Sequence, residues 1–218
     1  MGQWIDDYKL SIAHHRLMFA GKQAPWRATP NVGGAIRPEV IVLHETASRL
    51  EAGGSIAWLC NRDAKASAHF VVDREGNVTQ LAACNVSTWH AGKSSYKGRS
   101  GVNGFSIGIE LVGPGIMKAS KPGFARAWFG QDYAIDHYKL ELKRTPEHGN
   151  GWWMPFTDPQ IRMTVAVCKA LTEAYKLKDI TTHWAVSPKR KVDPNPTFPL
   201  DWCRKLALGE AAGPMGRA

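Results

Sequence analysis

The sequence predicts an α/β fold: one domain with a central mixed β-sheet flanked by helices. Three observations lead there. Short apolar runs at 40–43, 68–72, 105–111 and 180–182 have the length and β-branched content of strands. A long stretch at 157–177 repeats apolar residues at helical spacing, leaving a stripe that must be buried against a sheet. The chain has 218 residues, 44% hydrophobic and 22% charged, enough for one domain with a substantial core.

From the start of the chain, Trp4, Ile5, Tyr8, Ile12 and Phe19 recur at near three- and four-residue intervals and predict an amphipathic helix over 3–20. His14 and His15 lie within it. Neighbours on a helix point about 100° apart, so the pair reads as solvated or packing residues rather than as joint ligands. With the turn-rich stretch 21–38, they make 1–35 a helical extension and linker ahead of a main domain at 36–208. The run 40–43 is a strand closed by His44, and 55–61 is a short helix. Ala68, Phe70 and Val72 then alternate with His69, Val71 and Asp73, and the turn 73–77 leads to a second run at 78–81, which predicts a hairpin.

Residues 105–111 alternate again and carry Glu110 near their end. The stretch 114–156 holds Trp128, Phe129, Tyr133, Tyr138, Trp152 and Trp153 among basic residues and glycines. Thr157 or Asp158 caps the helix that follows, with Pro159 in its first turn and Ile161, Val165, Cys168, Leu171 and Tyr175 as its stripe. Trp202 and Leu206 suggest a last short helix after Pro199, and the small-residue tail 209–218 is expected to be flexible.

The formal charge of +9, with a pI near 9.5, favours anionic surroundings. Nucleic acid is disfavoured, because no helix-turn-helix, RNP-type or zinc-finger spacing accompanies the scattered cations. Bacterial envelopes also carry carboxylates and phosphates. Cys60, Cys84, Cys168 and Cys203 form no C-x-x-C pair and read as reduced, buried thiols. The first residues lack a basic n-region and an apolar h-region, and no run of about 18 apolar residues could span a bilayer. The expected location of synthesis is the cytoplasm.

Chemistry concentrates at 183–193 (HWAVSPKRKVD). His183 ends a β-prone run, Asp193 follows across a proline-stiffened loop, and Lys191 stands two residues before it. His44 is a second imidazole suited to join them. Two imidazoles and one carboxylate, with a fourth position left for water, form the ligand set of a catalytic zinc site. A single His closing a strand is more often a packed core residue, so the joint pattern carries the weight. The helical H-E-x-x-H motif is absent, because Ser48 stands where its second His would be.

Five segments in order, 41–46 (IVLHET), 67–76 (SAHFVVDREG), 89–92 (WHAG), 103–113 (NGFSIGIELVG) and 183–196, resemble the zinc-dependent type-2 N-acetylmuramoyl-L-alanine amidases. The resemblance implies one zinc ion held by His44, His183 and Asp193 at one end of the sheet, in a surface groove. It implies Glu110 as the catalytic carboxylate and Lys191 as the cation that stabilises the oxyanion. The plainer alternative for Glu110 is a salt bridge to one of the many basic residues. The resemblance also places Trp89, His90 and Asn103 at the substrate cleft. Other branches have Cys as third ligand and Tyr before the His of the second motif. Asp193 and Ala68 stand at those positions here, which agrees with an acid/base role for Glu110.

Against the family pattern, 114–156 is an insertion, either packed on its own domain or serving as a wall or lid of the groove. The expected partner is peptidoglycan or a muropeptide. Basic charge, the insertion and the missing signal favour a phage endolysin that reaches the wall after holin-type release. Cytosolic recycling of anhydro-muropeptides, or a non-catalytic peptidoglycan receptor, are the alternatives.

Overall fold

A computed structural model describes residues 3–209. The chain opens with α1 (Gln3–Asp7) and an antiparallel meander, β1 (Leu10–Ala13), β2 (Arg16–Phe19) and β3 (Lys22–Gln23). This corrects the helix expected over 3–20. His14 and His15 both adopt left-handed φ, 48° and 64°, and form the two-residue turn between β1 and β2. Such a turn matches the twist of a hairpin and ends any helix. Leu10, Ile12, Leu17 and Phe19 thus serve strands, a period-two pattern that overlaps helical spacing over so short a stretch.

After β4 (Val32–Ala35) comes β5 (Val40–Glu45), then α2 (Gly54–Leu59) and the hairpin β6 (Phe70–Val72) and β7 (Val78–Gln80). Short pairs β8 (Val86–Thr88), β9 (Ser95–Tyr96) and β10 (Arg99–Ser100) lead to β11 (Ser106–Leu111). The hairpin turn follows from local chemistry: Asp73 Oδ1 accepts from the backbone N–H groups of Glu75 and Asn77, and Gly76 takes a φ of 83°.

Residues 114–156 are not a loose loop. They build β12 (Met117–Ala119), β13 (Phe124–Ala127), β14 (Asp132–Ala134), α3 (Ile135–Tyr138), β15 (Glu141–Thr145) and β16 (Gly149–Trp153), in the antiparallel order β14-β13-β12-β16-β15. This second sheet has a core of its own, formed by Met117, Ala125, Ala127, Tyr133, Leu140 and Met154. Tyr133 belongs to that core and Phe129, Tyr138 and Trp152 pack at its margin, while Trp153 is buried against His148. Trp128 is the exception: it is 77% exposed, and its indole N–H donates to Ala47 O at 2.7 Å.

The chain ends with α4 (Asp158–Tyr175), β17 (Ile180–Thr182), α5 (His183–Val186) and α6 (Leu200–Leu208). Thr157 caps α4 by accepting from Gln160 N–H. Beyond Gly209 the expected tail lies outside the described residues.

The central sheet has the order β17-β5-β11-β6-β7, with its first four strands parallel and β7 antiparallel at the edge. It is the mixed sheet the sequence predicts. Side chains alternate across a strand. Ile41, Leu43, Ile107, Ile109 and Leu111 therefore share one face, where they pack with Met163, Val167, Cys168 and Leu171 of α4. Each fully buried side chain of this size stabilises the fold by about 1.5–3 kcal/mol. Val40 and Val42 point to the opposite face, into a smaller cluster with Ala91, Val102, Phe105 and Val186. His44 continues that second face. The four cysteines are all free thiols, three of them buried. Among the described residues no helix is long and apolar enough to cross a membrane.

Candidate metal centre

The same alternation assembles the site. His44 pairs in register with Glu110 across β5 and β11, while Val42 pairs with Gly108 and Val40 with Ser106. Parallel partners share a face, so Ser106, Gly108 and Glu110 line the sheet beside His44. On the other side of β5, Thr182 aligns with Leu43, and the next residue, His183, opens α5. Both imidazoles thus stand at the carboxyl ends of neighbouring parallel strands, the usual place for a site on such a sheet. Asp193 arrives from the loop after α5.

His44 Nδ1 lies 2.9 Å from His183 Nδ1 and 3.5 Å from Asp193 Oδ2, and His183 Nδ1 lies 2.9 Å from the same oxygen. Among the described residues, these three are the group that could hold a metal ion between them. Ligands about 2.0–2.1 Å from a tetrahedral zinc stand about 3.3 Å from one another, so the spacing suits that ion.

The outer nitrogens decide which tautomer each ring takes. His183 Nε2 meets the carbonyl oxygen of Ala91 at 3.3 Å and must carry the proton there. His44 Nε2 lies 2.9 Å from His90 Nδ1, His90 Nε2 lies 3.0 Å from Ser106 Oγ, and the Ser106 hydroxyl donates to Val102 O at 2.6 Å. With each donor given one acceptor, the chain runs from His44 N–H to His90, from His90 N–H to Ser106 and on to Val102. It leaves bare lone pairs on both Nδ1 atoms, the form a metal needs.

Burial keeps the two buried rings His44 and His90 neutral. Burial, aided by His183, lowers the His44 pKa to about 4, and burial puts His90 well below its ordinary value. Burial alone would raise the Asp193 carboxyl. In the metal-free protein, where His183 and His44 can instead carry a proton on Nδ1 and donate to the carboxylate, those hydrogen bonds outweigh it and hold Asp193 well below the usual carboxylate range. Burial raises Glu110 to about 8, Asp193 adds to the rise, and Lys191 opposes it. Glu110 Oε2 is buried and has no hydrogen-bond partner among the described residues. A buried carboxylate oxygen is costly to leave unpaired unless it serves a ligand or water. Lys191 is partly exposed and near enough to act on both His44 and Glu110.

The residues expected at the substrate cleft divide. Trp89 is 40% exposed and open to a ligand. His90 is buried with both nitrogens occupied, so its geometry is that of a support for His44 instead of a substrate contact. Asn103 Oδ1 accepts from Ala91 N–H at 2.8 Å and fixes the 89–92 loop. His69 is structural: its Nδ1 accepts from Gly108 N–H and its Nε2 reaches Val86 O. Arg190 fixes the same loop by donating to Ala91 O and Lys93 O.

Sequence reasoning missed three participants. Ser106 ends the His90 chain, and the one available signal was Gly108: a Cβ there would meet the His90 ring at 2.5 Å. Glycine inside a strand marks such close approaches. Glu45 is buried, and its carboxylate accepts from Gly115 N–H and Asn195 N–H; burial raises it to about 7. His148 on the insertion had no motif at all. A cavity of about 400 Å³ opens behind the Asp193 loop, lined by His148, Trp184, Asn195, Phe198 and Trp202 among others, and none of the three cluster residues borders it.

Comparison with known proteins bears on the whole arrangement. The family described as N-acetylmuramoyl-L-alanine amidase matches residues 34–196. The 1,6-anhydro-N-acetylmuramyl-L-alanine amidase AmpD of Escherichia coli (strain K12) is 31% identical over 146 residues, 66% of this chain and 58% of that protein. The chain thus spans a little over half the length of that curated relative. A crystal structure of an AmpD derivative superposes with a TM-score of 0.61 at 24% identity, covering 84% of this chain and 94% of that one. The endolysin amidase LysCS of Clostridium intestinale gives 0.53 at 17% identity, covering 84% and 93%. At those identities the two structures speak for the fold alone. With the family match running from β4 to the residues just past Asp193, the chain belongs to the N-acetylmuramoyl-L-alanine amidase family.

Proposed function

We propose that the protein is a zinc-dependent amidase that cuts the amide between the lactyl group of N-acetylmuramic acid and L-alanine, acting on soluble 1,6-anhydro-muropeptides. The observation that carries the reading is the convergence of His44 Nδ1, His183 Nδ1 and Asp193 Oδ2 beside the unpartnered Oε2 of Glu110. When bound, zinc would polarise the scissile carbonyl and bring the pKa of a neighbouring water to roughly 7.

His44, His183 and Asp193 are the residues that would hold the ion, the first two oriented by His90 and Ala91. Glu110 removes the proton from the attacking water and returns one to the departing L-alanine nitrogen. Its carboxyl sits near 8 without an ion, and a dication beside it would draw that value down toward the range useful for base and then acid. Lys191 supplies positive charge where the carbonyl oxygen turns negative. No cysteine takes part.

The soluble substrate is favoured by the E. coli relative, which bears the name of an anhydro-muropeptide amidase. The lytic role expected from charge and the insertion has weaker support, since the endolysin likeness is one of fold. Side-by-side digestion of purified sacculi and of anhydro-muramyl tripeptide separates the two. Faster cleavage of the small fragment supports recycling, and release of stem peptides mainly from intact sacculi would restore the lytic reading.

A further inference from the structure

We propose that the inserted sheet is a clamp on the loop that carries the third metal ligand, with His148 as a positioning residue for Asp193. This rests on the reading of His44, His183 and Asp193 as ligands. The two residues after Asp193 are gripped at three points. His148 Nε2 lies 3.1 Å from Pro194 O, Asn195 Nδ2 donates to Met154 O at 3.1 Å, and Asn195 N–H donates to Glu45 Oε2 at 3.1 Å. The other oxygen of Glu45 accepts from Gly115 N–H at 3.0 Å. Gly115 and Met154 stand at the two ends of the insertion, so both of its junctions with the core are tied to the ligand loop.

His148 is built for that task. It sits between β15 and β16, is 7% exposed, and packs edge-on against Trp153 and against Trp184, the neighbour of His183. Because Pro194 O only accepts, Nε2 carries the proton, and Nδ1 takes the Thr145 hydroxyl at 2.7 Å. Trp184 N–H in turn donates to Asp193 O at 3.0 Å. The His148 ring thus touches the chain beside both ligands that lie outside β5. A carboxylate on a loop adds more to metal affinity when its backbone is already held in place before the ion arrives.

The test is a zinc titration of the metal-free chain against a fluorescent chelator, read as Kd and independent of turnover. His148→Phe keeps a ring between the two tryptophans and removes the donor; His148→Gln restores a donor at similar reach. The clamp predicts a Kd raised about tenfold or more in His148→Phe, most of it recovered in His148→Gln. Leu142→Ala, exposed on the same sheet, should leave it unchanged. Should His148→Phe fail to fold, Thr145→Val, which removes the hydroxyl held by Nδ1, is expected to weaken zinc in the same direction. An unchanged Kd in whichever of these two variants folds overturns the clamp and leaves the metal reading standing. A wild-type chain with no affinity for zinc overturns both.

Discussion

The two faces of the central sheet are made by the same strands and do opposite work. Toward α4, β5 and β11 present Ile41, Leu43, Ile107, Ile109 and Leu111, a closed apolar layer. One residue out of phase, they present His44, Ser106, Gly108 and Glu110, where burial shifts His44 and Glu110 away from their ordinary pKa values. The desolvation that disfavours charge at the second face is tolerated because the first face supplies the stability. Strand alternation separates fold from chemistry by a single step along the chain.

Breaking the chemical face at its ligands has the largest expected effect. Asp193→Ala should weaken zinc by more than the ~10–100-fold that loss of a supporting partner costs, measured by chelator competition, while the apo fold stays intact by circular dichroism. The mirror change on the apolar face is Ile109→Ala. It should lower unfolding free energy by about 2–5 kcal/mol in urea titrations and leave the zinc affinity of the folded protein unchanged; a joint loss would show that the faces are not separable. Glu110→Ala should retain zinc and lose about a hundredfold or more in turnover, and near-normal hydrolysis by the metallated variant would remove Glu110 from the mechanism.

A smaller effect on the chemical face appears with pH. Burial lowers His69 to about 4, and its Nδ1 accepts from Gly108 N–H, a bond that protonation breaks. The folded pKa lies below the unfolded one, so the stability it contributes is complete above about 6.5 and is lost as pH falls toward 4. His69→Asn should make the fall in stability over that window shallower by about 1–3 kcal/mol, read from urea midpoints at several pH values.

Much of the site was legible because its parts sit where sequence patterns end. His44 closes an apolar run, His183 follows another and Asp193 stands among prolines, whereas Glu110, inside a third run, was singled out by the family resemblance. The sheet and α4 were legible for the same reason, since their periodicities are long or sharply bounded. The N-terminal meander was not. Leu10, Ile12, Leu17 and Phe19 fit two periods over so few residues, and nothing in a His14-His15 pair announces two left-handed residues. The supporting layer was harder still. Ser106, Glu45 and His148 act through contacts 16, 150 and 46 residues away in sequence, to His90, Asn195 and Pro194, and such pairings carry no local pattern. The insertion's aromatic content left packing and a lid equally open, and gave no sign that it would form a second sheet with a core of its own.

The most direct measurement is restoration of hydrolysis by zinc. Metal-free protein would be titrated with zinc in the presence of anhydro-muramyl tripeptide, and release of a peptide beginning with L-alanine followed by mass spectrometry. A one-zinc amidase should give no release without metal and a linear rise to a plateau at one ion per chain. Release that persists under chelation, or a zinc-loaded protein that leaves the amide intact, would contradict it.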